Sequence, residues 1–142
     1  MSLKINIGFE KPVFKIEIVN IYDRTVRLWS FGYLPGYYSL CFSITTNDDN
    51  KKYLIKRKLT RWTINVLDFF EINPKQSKSV DVNINDGTWG LSETIERPDN
   101  KIAVSCILSN EVNEETFQYD ILTGKYESEK IYFDSINDII KQ

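Results

Sequence analysis

Histidine occurs nowhere in the 142 residues. That removes the commonest general base, the commonest transition-metal ligand and every histidine-based catalytic triad. Cysteine occurs only at Cys41 and Cys106, too few for a structural zinc site, which takes four close Cys or His ligands. The six glycines are scattered singly, so no glycine-rich loop is available to cradle a phosphate. No stretch approaches the roughly 18 apolar residues of a membrane span. The first ten residues carry alternating Leu3, Ile5 and Ile7 in place of the apolar block of a secretory leader. The expectation is a cytoplasmic chain without cofactor, metal or membrane partner; a secreted chain whose leader had been trimmed would read the same. Neither sign of charge dominates: 18 basic residues stand against 20 acidic ones, for a net charge of -2. Such a chain repels a polyanion unless its positive groups share one surface, which disfavours nucleic acid as a partner.

What is present is period-two alternation from end to end, with 13% aromatic residues that favour strands. Strands are expected at 4–8, 13–21, 25–31, 37–46, 52–58, 68–73, 79–85 and 101–109. A C-terminal hairpin is expected to rise through Phe117, Tyr119 and Ile121, turn at Thr123-Gly124 and return over 126–133. Asn47-Asp48-Asp49-Asn50 reads as a hairpin tip, and Ser135 to Asp138 as a capping box opening a short terminal helix. Many short strands separated by turn signals imply a sandwich or a barrel. One-face-apolar strands such as 13–21 favour an all-β antiparallel sandwich forming one domain over residues 1–142, with Phe14, Ile16, Ile18, Leu40, Phe42, Ile44, Val80, Val82, Ile102 and Val104 in its core. Cys41 falls on the outward parity of its strand and Cys106 on the inward parity, so two free thiols are expected rather than a cross-sheet disulfide.

Two features imitate chemistry. Asp81, Asn83 and Asn85 are spaced like the first ligands of a calcium loop. That loop needs glycine at its sixth place and glutamate at its twelfth, where this chain has Asp86 and Ser92. Carboxylates pair up at Asp48-Asp49, Glu114-Glu115 and Asp134 with Asp138, but each pair lies at a turn or element start, where solvated acids are ordinary. An enzyme is not expected.

Two clusters suggest binding. Lys51, Lys52, Lys56, Arg57, Lys58 and Arg61 fall within eleven residues, with Tyr53 and Trp62 among them. They suit an edge strand guarded by lysines, a groove for single-stranded nucleic acid, or a surface for an acidic protein. If Val26 and Leu28 face the core, Trp29, Phe31 and Tyr33 share the other face with Arg27. That strip is either a platform for a protein or a sugar, or a second packed face.

In order along residues 14–108 come a hydrophobic strand ending in Asn20, then Gly36, Tyr38, Phe42 and Ile44 in a G-x-Y-x-x-x-F-x-I pattern, then Tyr53 and Ile55. Trp62-Thr63, the turn Glu71-Ile72-Asn73-Pro74-Lys75-Gln76-Ser77 and Trp89 follow. This series resembles the bacterial intracellular proteinase inhibitor family of the BsuPI type. The resemblance implies an immunoglobulin-like sandwich that binds, and inhibits or neutralises, another protein. The turn departs from the family's E-L-x-P-G-E-S in carrying Lys75 at the glycine, residues after about 110 extend beyond the resemblance, and no inhibitory loop follows by matching. The expected function is a non-enzymatic protein-binding module, the alternative being a carbohydrate or ligand module that uses exposed aromatics. Its binding residues are expected among Arg27, Trp29, Phe31, Tyr33, Lys52, Lys56, Arg57, Lys58 and Arg61.

Overall fold

Alternating side chains on β1 (Leu3–Glu10) and β2 (Val13–Asn20) give each strand one apolar face, and the two pair as a hairpin turning at the cis Lys11-Pro12 bond. On its other side β2 pairs with β7 (Ser77–Val82). The same two chain segments pair again further on, as β3 (Val26–Trp29) with β6 (Phe69–Ile72). Between the pairs Val19↔Ser77 and Val26↔Ile72 the first segment advances seven residues while the second moves five. Asn20 sits at this slip. It is wholly buried, and its Nδ2 donates to the carbonyls of Arg24 (2.7 Å) and Ile72 (2.8 Å) while its Oδ1 accepts from the Tyr22 amide.

The opposing sheet runs in the order β10 (Gly124–Glu127), β9 (Ile102–Asn110), β4 (Leu40–Thr46), β5 (Lys52–Arg57), β8 (Trp89–Leu91), and β11 (Ile131–Phe133) also pairs with β9. The inner faces meet through aromatic rings, Phe14 lying 4.8 Å from Phe42 and 6.2 Å from Phe133. Removing those faces from water is what drives two sheets together as an antiparallel sandwich, and the expected core residues are buried there, with Val80 half-buried at its margin. Cys106 lies opposite Phe42 on the inner side and Cys41 opposite Ile107 on the outer; both thiols are free. The computed structural model describes residues 2–47, 51–62, 64–95 and 98–140, so most of the expected tip at 47–50, including Asp48-Asp49, lies outside the described residues, as does Thr63. Among the described residues no helix is long and apolar enough to cross a membrane.

Four expectations are corrected. Residues 117–121 are not a strand: Glu114–Gln118 is a helical turn, α2, because Asn113 and Thr116 cap one another reciprocally and two acids occupy its first turn. The C-terminal return strand pairs with β9 instead. β4 begins at Leu40 rather than at residue 37, since Pro35 starts the one-turn helix α1 (Leu34–Tyr37) and leaves Tyr38 exposed instead of inward. A Cβ on Gly36 would stand 2.0 Å from the Ser30 carbonyl oxygen, so only glycine fits there. β7 ends at Val82, and Asn83 and Asn85 close a turn in which the Asn85 amide donates to Asn83 Oδ1. Lastly, β5 is not an edge strand, because β8 pairs along its far side. The capping box at Ser135 is present and opens a 3-10 turn, Ile136–Asp138, whose Ile136 is buried.

Candidate functional site

The aromatic strip is folded inward. Trp29 is 2% exposed and Tyr33 7%, and with Ile121 they form a second, smaller apolar core. The Trp29 ring lies 5.0 Å from Tyr33 and 6.0 Å from Tyr119. Phe31 turns the other way, half-buried against Phe70. Tyr33 donates its hydroxyl to Glu115 Oε1 at 2.7 Å, and burial together with that bond pushes its pKa up to about 12. Arg27 is committed to the fold: Nη1 donates to the Tyr119 carbonyl, the guanidinium sits 4.3 Å over Phe69, and Nη2 lies 3.7 Å from Glu71. Of the two readings of this strip, packing is the one the burial bears out.

The basic stretch divides between two tasks. Arg57 is half-buried between the rings of Tyr37 (4.4 Å) and Trp89 (4.2 Å), donates to Thr88 Oγ1 and lies 3.8 Å from Asp86, so it clamps β8 against α1. Lys52, Lys56, Lys58 and Arg61 are exposed. Lys56 and Arg57 do, however, reach a cleft of about 550 Å³ in which Trp29, Pro35, Cys41, Leu59 and Asn110 also take part. The cleft lies where the start of β4, the end of β5 and the segment after β9 converge. Its far wall is held by the Asn113–Thr116 cap. One residue of the strip, Trp29, and two of the basic stretch, Lys56 and Arg57, thus meet in one place, whereas Arg27, Phe31, Tyr33, Lys52, Lys58 and Arg61 do not line it.

Burial pushes the Cys41 thiol pKa up, against the opposing pull of Lys56, Lys125 and Lys52. The thiol is therefore protonated at neutral pH, and what this surface offers is ammonium groups rather than a nucleophile. One acid of each described pair is taken up locally: Glu115 accepts from Tyr33, and Asp138 accepts from the Ser135 amide. Asp81 of the calcium-like stretch lies 2.9 Å from Lys15, and Asn85 Nδ2 donates to the Ile139 carbonyl.

In the connection between β5 and β6, residues 58–68, sequence reasoning singled out Lys58, Arg61 and Trp62 but passed over the apolar side chains. There Leu59 is 96% exposed, Ile64 76% and Val66 69%. Their signal was available: Leu59, Ile64, Val66 and Leu67 are apolar residues between the expected strands 52–58 and 68–73. This loop is pinned at three points: the Thr60 amide donates to Tyr38 Oη, the Trp62 ring meets that of Tyr37 edge-on at 5.1 Å, and Asn65 Oδ1 accepts from the Leu34 amide. No family model, curated protein or solved structure matches the chain.

Proposed function

We propose that the chain is an immunoglobulin-like protein-binding module that inhibits or neutralises its partner, and that it makes contact through the 58–68 loop and the cleft beside it. One observation carries this reading. Leu59, Ile64 and Val66 are held out in water on a loop pinned by Tyr38, Tyr37 and Leu34. Exposed apolar side chains crowded on an anchored loop are the usual material of a contact surface, because ordering is already supplied and only desolvation remains to be gained. The resemblance to the proteinase inhibitor family agrees with this reading. The carbohydrate alternative rests on the strip of Trp29, Phe31 and Tyr33, of which Trp29 and Tyr33 are buried.

The test is a double variant, Leu59→Asp with Val66→Asp. Both side chains are exposed, so thermal stability should stay within about 0.5 kcal/mol of wild type. Wild type should slow one or more of a panel of intracellular endopeptidases, or retain a defined partner from the source cell, and the variant should lose that effect by about 2 kcal/mol of binding or more. Equal behaviour of the two proteins would remove the loop from the contact.

A further inference from the structure

Directly opposed residues in paired strands share a face, so the pairings define what the six-stranded sheet turns away from the core. Those residues are Cys41, Ser43 and Thr45 on β4, Ser105 and Ile107 on β9, and Lys52, Leu54 and Lys56 on β5. From β10 come Lys125, opposite Ser109, and Glu127, opposite Ile107. Lys58 lies over Gly90, the residue opposite Lys56, so it borders the same face. Lys56, Lys125 and Lys52 all bear on the Cys41 thiol, with Glu127 opposing them. Among the described residues none of Lys52, Lys56, Lys58 and Lys125 lies within ion-pair distance of an acid. Glu127 is occupied by Ser105, whose hydroxyl donates to it at 2.6 Å. The outer face of the three-stranded sheet is different: Lys15 is paired with Asp81 at 2.9 Å, and Glu17 accepts from Asn6 at 2.8 Å. The chain's net charge is -2, yet Lys52, Lys56, Lys58 and Lys125 border one face with no acid in ion-pair reach among the described residues.

We infer that this face, together with the cleft at its end, binds an acidic segment of a protein that carries an apolar anchor. The inference rests on the protein-binding reading above and specifies the partner's chemistry. Ser43 and Ser105 beneath these lysines are buried, so an extended chain would lie across the exposed lysine side chains, its carboxylates meeting Lys52, Lys56 and Lys125. Pro35, Leu40 and Leu59 in the cleft supply apolar contact for one anchoring side chain. A nucleic-acid strand suits the surface less. It would find Trp29 in the cleft buried rather than open for base stacking.

The experiment is selection of a random displayed-peptide library on immobilised wild-type protein, on the Lys56→Glu/Lys125→Glu double variant, and on Lys4→Glu, a charge reversal on the opposite sheet. Wild type and Lys4→Glu should enrich acidic sequences with an apolar residue. Synthetic copies should bind the double variant about tenfold more weakly or worse, and should bind wild type less well as salt rises. No enrichment, enrichment without acidic bias, or equal binding to the double variant would overturn the inference, as would competition of the peptides by a single-stranded oligonucleotide that binds more tightly. If the selected peptides are lost on the Leu59→Asp/Val66→Asp variant but kept on the charge-reversed one, the loop reading stands and this inference fails. If every variant keeps them, both fail.

Discussion

Tyr33 shows how a single side chain can commit a surface to the interior. Its ring completes the small core around Trp29, and its hydroxyl reaches Glu115 on α2, tying the segment after β9 back to β3. The phenol ionises near 10 in the unfolded chain and is held to about 12 in the fold. Below pH 10 both states keep the proton and its contribution to stability is complete. Between about 10 and 12 the unfolded state releases its proton first, so stability falls as pH rises through that window. Urea midpoints across the window should therefore show the advantage of wild type over Tyr33→Phe shrinking with pH, and an advantage that stays constant would mean the proton is not held. Lys75 is another residue whose backbone matters more than its side chain. It follows Pro74 in a turn closed by the Gln76 amide on the Asn73 carbonyl, with φ at 65°, the left-handed region that glycine adopts more readily than lysine.

Among the elements, the paired ladders β2–β7 and β3–β6 depend on one polar residue at their junction. Asn20→Ala would leave the buried carbonyl of Ile72 and two neighbouring backbone groups without their partners, at a cost of about 2–4 kcal/mol. Asn20→Asp should be no better, because a carboxylate would replace the Nδ2 donor facing two carbonyl oxygens. Equilibrium urea unfolding of both variants checks this, and a loss under about 0.5 kcal/mol would show that water takes over the bonds. Most strands were legible because alternation is a local signal that burial of one face imposes on each strand separately. The segment 117–121 misled because Phe117, Tyr119 and Ile121 alternate as a strand would, while the Asn113–Thr116 cap decides for helix. Tyr37 and Tyr38 misled similarly: they continue the alternation of β4 backwards, but Pro35 and the close approach of Gly36 to Ser30 put a helical turn there.

At the scale of the molecule, the two cores are unequal in reach. The large one joins the sheets, whereas the small one, built from Trp29, Tyr33 and Ile121, docks the chain after residue 110. Trp29→Ala should cost about 3–5 kcal/mol in thermal or urea unfolding, as for a buried ring. A loss under about 1 kcal/mol would return Trp29 to the surface as a binding residue. The sequence by itself determined the strand content, the inward and outward parity of both cysteines, the core positions, and the absence of histidine chemistry, because each of these is written in residue type or in neighbours two apart. Only the tertiary structure decided that the aromatic strip is interior, that β5 is covered by β8, and that Lys125 joins Lys52 and Lys56 about Cys41. The reason is physical: strand alternation says that a side chain leaves one face, but what covers that face, and which distant charges share it, depends on pairings between residues far apart in the chain.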